Sequence, residues 1–228
     1  MNKGRLTGAA LLLAASLGPV TVMAATLPTL HLTDQSGQDV GEAVVELKGA
    51  AAVEVPPLPE EAIVDQVDIA FVPEIAVVRA GTKVRFPNSD ETRHHVYSFS
   101  AAKTFELQLY KGNDAPPVEF DKAGLVALGC NIHDSMRGYI YVVEGALYGQ
   151  TDATGEVTLP AFNAEQSPYL VIWHPDMDEP FQLAIADLAD AEADRLEIQL
   201  PFELSVDDPS QSPSSLYDRL QRYQSDGN

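Results

Sequence analysis

A cysteine, a histidine and a methionine stand three residues apart in one short segment, as Cys130, His133 and Met136. A thiolate, an imidazole and a thioether with this spacing can reach one metal ion from a strand end and the tight loop after it. The pair His94-His95 offers a further imidazole from another strand. Two imidazoles and one thiolate in a plane, with a weak axial thioether, are the ligands of a blue-copper site. The spacing therefore predicts one copper ion that alternates between Cu(I) and Cu(II).

Interpretations other than copper can explain each of these residues singly, but they explain the three together less well. Cys130 is the only cysteine of the chain and cannot form an intrachain disulfide. A lone buried cysteine is usually a small hydrophobe, and a lone methionine usually fills a core. Structural zinc sites use four Cys or His ligands and do not use Met. The joint spacing of the three residues therefore favours copper over zinc and over simple packing.

The elements that must position these ligands are short strands. Candidate strands separated by Gly, Asn and Asp turns lie at 67–71, 75–78, 83–86, 96–99, 104–110, 118–120, 125–128 and 139–143. Many short strands with such turns are typical of a β-sandwich. The ligand segment follows one of these strands, and the His pair directly precedes another. We therefore predict an all-β protein.

The ligand segment has a recognisable pattern, since Cys130, His133, Met136, Arg137 and Gly138 have the spacing Cys-x-x-His-x-x-Met-Arg-Gly. It resembles the amicyanin-type ligand loop of the cupredoxin family. The resemblance covers about residues 64–144. It implies a Greek-key β-sandwich that carries electrons and is not an enzyme, with one copper ion held by His94, Cys130, His133 and Met136.

Upstream, Phe86, Asn88 and His94 resemble the cupredoxin stretch in which an Asn precedes the first ligand His by six residues. By this register His94 is the ligand. His95 then takes the place of a family Asn whose side chain ties the two ligand loops together. The alternative is that His95 is the ligand. Only one of the two histidines can reach the copper, because successive strand residues point to opposite faces. Asn88, His95 and Asn131 are expected to surround the ligands.

A second departure from the family concerns Asp134, which stands where the amicyanin-type loop has a proline. The change is expected to affect the loop and the hydrogen bonding of His133, and it removes no ligand.

The flanking segments resemble a carboxypeptidase regulatory-like β-sandwich, and the whole chain resembles proteins labelled methylamine utilisation proteins. The predicted parts are the first strands of this accessory sandwich at 26–50, a linker at 51–61, the cupredoxin domain at 62–145, the rest of the accessory sandwich at 146–203 and a mobile tail at 204–228. In one hypothesis the cupredoxin is inserted into the accessory sandwich. In the other, the N-terminal strand belongs to the cupredoxin and a separate module follows it.

Residues 1–25 have the features of a Sec-type signal peptide: the basic Lys3 and Arg5, an apolar stretch, and a Val22-Met23-Ala24 cleavage site. The predicted location is the periplasm, with no membrane span in the mature form.

The formal charge is −20, with 14 basic and 34 acidic residues. Such a chain repels nucleic acid. Expected partners are redox proteins, such as a c-type cytochrome or a dehydrogenase.

Electron transfer is the leading functional hypothesis. The alternative is a periplasmic copper-binding or delivery protein without an electron-transfer role, although such proteins often expose Met-rich sites and this chain has four Met. A copper enzyme would need a second histidine cluster or an open coordination position. A metal-free adhesive sandwich would not need a full ligand set.

Overall fold

The computed structural model describes residues 25–187 and 194–205, which form seventeen strands and one 3₁₀ turn, Ile185–Asp187. The protein is therefore all-β, as the sequence predicts. The predicted signal peptide lies outside the described residues except for Ala25, and so does most of the predicted tail. Within the described part of the chain, no helix is long and apolar enough to cross a membrane.

The middle of the chain forms ten strands, β3 to β12. In chain order they are β3 (Ala62–Ile63), β4 (Asp65–Val67), β5 (Ala70–Val72), β6 (Ile75–Arg79), β7 (Thr82–Arg85), β8 (His94–Phe99), β9 (Thr104–Tyr110), β10 (Val118–Phe120), β11 (Gly124–Cys130) and β12 (His133–Val143). One sheet has the order β6-β12-β11-β8-β9 and another the order β10-β7-β3, while β4 and β5 form a separate hairpin. Strands that alternate between the sheets produce the β-sandwich.

Apolar residues from both sheets share one core. Phe120 on β10, Val84 on β7 and Leu128 on β11 are all fully buried in it. Cys130 and Met136 belong to the same cluster. The segment that carries Cys130 and Met136 is therefore anchored in a packed core, which holds the strand ends in place.

The first and last segments of the chain form a second pair of sheets. Their strands are β1 (Thr29–Thr33), β2 (Val44–Ala52), β13 (Tyr148–Gln150), β14 (Glu156–Val157), β15 (Phe162–Trp173), β16 (Phe181–Ala184) and β17 (Arg195–Gln199). The sheet orders are β14-β1-β17 and β13-β2-β15-β16. The pairing partners of β1 and β2 among the described strands all follow residue 145. This second sandwich has its own apolar core, which includes Leu30, Val45 and Leu170.

A small aromatic cluster joins the two sandwiches. Trp173 of β15 is 1% exposed and packs with Tyr139 and Tyr141 of β12, at ring-centroid distances of 5.4 and 5.6 Å. Val44 of β2 and Ile75 of β6 complete the buried contact. We call this cluster the aromatic joint. It places the strand that carries His133 directly against the second sandwich.

Three sequence-based boundaries need correction. The predicted strand 67–71 is wrong: it is divided between β4 and β5, because Asp68 and Ile69 take positive φ angles of 52° and 62° and reverse the chain. Strand β2 continues to Ala52, into the predicted linker, because it keeps pairing with β15 there. The first two residues of the predicted mobile tail are hydrogen-bonded to the second sandwich, since the backbone N–H groups of Leu204 and Ser205 donate to the carboxylates of Asp34 and Asp176.

Candidate metal centre

The ligand segment folds as a two-residue hairpin between β11 and β12. Cys130 pairs with His133 across the strands, with Asn131 and Ile132 in the turn. One step back along the ladder, Gly129 pairs with Arg137, so residues 134–136 bulge out of the β12 side. A bulge of this kind changes the direction of the side chains that follow. The hairpin thus fixes Cys130 and His133 side by side and leaves the intervening residues outside the ladder.

Three donor atoms converge at this hairpin. Sγ of Cys130 lies 3.8 Å from Nδ1 of His133 and 3.8 Å from Nδ1 of His94. The ligand atoms of all three residues lie within 4.8 Å of one another. Metal–sulfur and metal–nitrogen bonds of about 2.3 and 2.0 Å at trigonal angles put sulfur and nitrogen about 3.7 Å apart. The observed sulfur–nitrogen separations therefore fit one ion between these side chains.

His94 reaches the site from β8, the strand next to β11 in the sheet. Its side chain is fully buried, and its Nε2 lies 2.6 Å from Oδ2 of Asp90. A carboxylate accepts only, so Nε2 is the donor of this pair, and the lone pair of a neutral ring is then at Nδ1, on the side of Cys130. A carboxylate that orients a histidine in this way is a common feature of metal sites. The contact with Asp90 thus favours the tautomer in which Nδ1 could bind a metal.

His95, the alternative ligand, points away from this cluster. Its Nε2 lies 2.9 Å from Oε1 of Glu106 on β9, and its ring contacts Tyr97 at 5.5 Å between centroids. Its Nδ1 is buried and has no hydrogen-bond partner among the described residues. The expectation that His95 ties the two ligand loops together is wrong in this respect, because its hydrogen bond goes to β9. Alternation along β8 sends the two histidines to opposite faces.

Met136 lies in the bulge of β12 and is 1% exposed, in the same core cluster as Cys130. This apolar side chain is therefore buried in the sandwich that contains the three donors. This position is compatible with the predicted role of Met136 as a ligand.

Asn88 organises the loop that leads to His94. Its Nδ2 donates to the carbonyls of Thr92 and Tyr110 at 3.0 and 2.9 Å, and its Oδ1 accepts the Asp90 N–H at 3.0 Å. These bonds fix both ends of the segment that carries Asp90. Asn131 is exposed in the hairpin turn. The two asparagines thus differ, with Asn88 supporting the ligand loop and Asn131 facing solvent.

Asp90 is not among the residues that the sequence predicts for the site. Only its position four residues before His94 could have indicated it, and an acidic residue in a polar turn is common. Burial alone would raise the pKa of Asp90, but hydrogen bonds from the Ile69 N–H, the His94 ring and the Asp68 N–H together lower it. The carboxylate is therefore charged at neutral pH, directly behind His94.

Two tyrosines lie near the cluster. Burial, with the nearby Cys130 and Asp134, raises the pKa of Tyr97. Burial also raises the pKa of Tyr110 to about 12, and its hydroxyl donates to the carbonyl of Phe86. Both phenols are neutral at physiological pH, so they add no charge to the site.

No protein-family model matches the sequence, and no curated protein matches it. Among solved structures, the chain is similar to a Cu-containing nitrite reductase from Thermus scotoductus SA-01, with 25% identity and a TM-score of 0.36 over 41% of this chain and 25% of the reductase chain. It is also similar to a reduced Cu(I) form of an amicyanin variant, with 22% identity and a TM-score of 0.34 over 43% of this chain and 98% of the amicyanin.

A third similar structure is a purple cupredoxin from Nitrosopumilus maritimus, with 19% identity and a TM-score of 0.33 over 36% of this chain and all of the cupredoxin. These neighbours are cupredoxins at low identity.

Proposed function

We propose that the protein is a periplasmic type 1 (blue) copper protein that transfers single electrons between protein redox partners. The observation that supports this most strongly is the convergence of one cysteine sulfur and two histidine nitrogens within 4.8 Å, on strands of one sheet. A thiolate and two imidazoles are the ligands that copper prefers in such sites.

Each ligand has a distinct role in this proposal. His94, Cys130 and His133 would hold the copper, and the thioether of Met136 would adjust its reduction potential. Bound copper supplies the one-electron chemistry by cycling between Cu(I) and Cu(II). The protein keeps the ligands still, because the three donors come from hydrogen-bonded strands that end in a packed core. Little rearrangement of the ligands then accompanies a change of oxidation state.

The burial of the ligands favours electron transfer over copper delivery. His94 and Cys130 are 0% and 4% exposed, whereas His133 is half-buried. A delivery protein must hand its ion to a partner, which requires ligands that the partner can reach. An electron needs only one ligand near the surface, and His133 provides it. With a formal charge of −20, the protein would attract a basic redox partner.

The arrangement of the chain supports an inserted domain. We propose that residues 62–145 form the cupredoxin and that the flanking segments complete one accessory sandwich. The pairing of β2 with β13 and β15, on either side of the insertion in sequence but in one sheet, supports this proposal. The accessory sandwich would then orient the copper domain through the aromatic joint.

The decisive experiment is the visible absorption spectrum of the oxidised, copper-loaded protein beside that of a Cys130→Ala variant. An intense band near ~600 nm that the variant lacks is expected of a thiolate–Cu(II) site. Stoichiometric copper without this band would indicate a binding or delivery role. Absence of copper binding after reconstitution would contradict the ligand assignment and the function together.

A further inference from the structure

Asp90 joins two parts of the molecule that are separate in sequence. Its Oδ2 accepts from Nε2 of His94 at 2.6 Å and from the Ile69 N–H at 3.0 Å, and its Oδ1 accepts from the Asp68 N–H at 2.6 Å. One carboxylate therefore holds both a metal-binding histidine and the tip of the β4–β5 hairpin. We call Asp68 and Ile69 the hairpin tip.

The hairpin tip has a conformation that its sequence does not favour. Both tip residues have left-handed φ angles, 52° for Asp68 and 62° for Ile69. A turn of this type prefers Asn-Gly or Asp-Gly, and a β-branched residue in the left-handed region is strained. Strain of this kind persists only where surrounding contacts enforce it. The two N–H bonds to the Asp90 carboxylate are contacts that do so.

Further bonds attach the rest of the hairpin to the segment before His94. Gln66 donates through Nε2 to the carbonyls of Phe86 and Pro87 at 3.2 and 2.9 Å, and its backbone N–H donates to Pro87 at 3.1 Å. Ser89 donates through Oγ to the Asp65 carboxylate at 2.8 Å. The hairpin and the loop that carries Asp90 therefore form one hydrogen-bonded unit, and neither contributes a donor atom to the metal cluster.

We propose that Asp90 is a positioning residue through which the β4–β5 hairpin sets the orientation of His94 and the reduction potential of the copper. This inference rests on the proposed function. The carboxylate keeps the proton on Nε2 of His94 and keeps Nδ1 directed at the metal. Its negative charge lies one imidazole ring away from the ion and stabilises Cu(II) more than Cu(I), which lowers the potential. The hairpin tip fixes the carboxylate in the place where it has this effect.

The first test compares Asp90→Asn with Glu119→Gln in the full chain. Both variants remove one negative charge, but Glu119 is exposed on β10, in the other sheet of the copper domain. We expect Asp90→Asn to raise the copper reduction potential and Glu119→Gln to leave it unchanged. Equal potentials for both variants and the parent, with copper fully bound, would overturn the proposed role of Asp90 while leaving electron transfer intact.

The second test needs no copper. In the copper-free protein, Asp90→Asn should accelerate amide hydrogen exchange at Asp68 and Ile69 about tenfold, because two charge-assisted hydrogen bonds are weakened. The ¹⁵N signals of the His94 ring should lose the pattern of a fixed Nε2–H tautomer. If the parent protein binds no copper, the proposed function fails, and these two measurements still decide whether Asp90 anchors the histidine and the tip. Unchanged exchange and unchanged His94 signals would overturn the anchor.

The third test alters the hairpin tip alone. Ile69→Gly keeps the N–H donor and relieves the φ strain, so the potential and the His94 signals should stay as in the parent. Ile69→Pro removes the donor and cannot adopt a positive φ. It should shift both, although residue 69 does not touch the metal cluster. If the Pro variant binds copper with the parent potential, the hairpin does not control the orientation of His94.

Discussion

Cys130 and His133 are cross-strand partners in a two-residue hairpin, with Sγ of Cys130 3.8 Å from Nδ1 of His133. The two-residue turn on one side and the three-residue bulge on the other fix the relation between the two donors. Strand register is sensitive to single-residue changes, since side chains alternate between faces.

Insertion of one glycine between Asn131 and Ile132 should therefore abolish the ~600 nm band, because it rotates one donor away from the other. A glycine inserted between Glu179 and Pro180, in an exposed turn of the accessory sandwich, is the control and should leave the band intact. Absorption spectra of the copper-loaded variants test this. A normal band in the first variant would show that the register does not position the donors.

The two adjacent histidines should respond differently to the same substitution. His94→Gln removes a buried donor that is 3.8 Å from the Cys130 sulfur, so copper affinity should fall by about tenfold or more and the blue band should be lost. His95→Gln should retain the band, because the side chain contacts Glu106 on the opposite face. Copper titration with absorption detection distinguishes them. The reverse result would mean that His95 is the ligand.

Replacement of Met136 by Leu should separate its role as a ligand from its role in packing. The side chain is 1% exposed, and Leu has a similar volume, so the free energy of unfolding of the copper-free protein should change by less than about 1.5 kcal/mol. Loss of the axial sulfur should raise the reduction potential of the copper-loaded form. Voltammetry checks the potential and urea denaturation checks the stability. An unchanged potential would contradict the axial assignment.

His31 should make the accessory sandwich less stable as the solution becomes alkaline. Its ring contacts Glu197 and Asp39, and the hydrogen bond to Glu197 is the main reason that its pKa is raised from about 6.5, against the opposing effect of burial. The protonated ring carries the stabilising charge. Its contribution is therefore complete below about pH 6.5 and is lost as the pH rises through the raised value.

The measurement is the difference in unfolding free energy between the parent and His31→Gln, from pH 6 to 9. The difference should shrink as the pH rises. Arg195 and Asp152 also interact electrostatically with His31. The control for general charge effects is Lys103→Gln, because it removes an ion pair far from His31 in sequence, in the copper domain. A constant difference across this range would contradict the charged bridge.

Trp173→Ala should destabilise the protein by about 3–5 kcal/mol, since it empties a fully buried aromatic site. Because the ring packs on Tyr139 and Tyr141, the two sandwiches should also unfold less cooperatively. Trp173→Phe keeps an aromatic ring there and should cost less. Calorimetry provides the readout, and a single sharp transition in the Ala variant would mean that the joint does not couple the two cores.

The metal cluster could be predicted largely from the sequence, because Cys130 and His133 are close along the chain and their relation is local. The all-β class followed from the short strands and their turns. The resemblance to the cupredoxin stretch from Phe86 to His94 favoured His94 over His95, and the structure places His94 with the other donors.

The support around the site could not be predicted in the same way. The pair Asp68-Ile69 contains no glycine or asparagine, and its turn is held by Asp90, more than twenty residues away in sequence. No sequence pattern around Asp68, Ile69 or Asp90 indicates that the carboxylate accepts from these two backbone N–H groups. The length of β2 was underestimated for a related reason, since its last residues pair with β15, over a hundred residues further along the chain.

The aromatic joint also contains an intrinsic fluorophore. Trp173 is the only tryptophan of the chain, and it lies where the two sandwiches meet. Its fluorescence therefore originates from one buried position and carries no background from other indoles. A red shift of this emission would reveal water entering the joint while the copper band still reported an intact metal site. The two signals together can follow the two sandwiches separately in a single unlabelled sample.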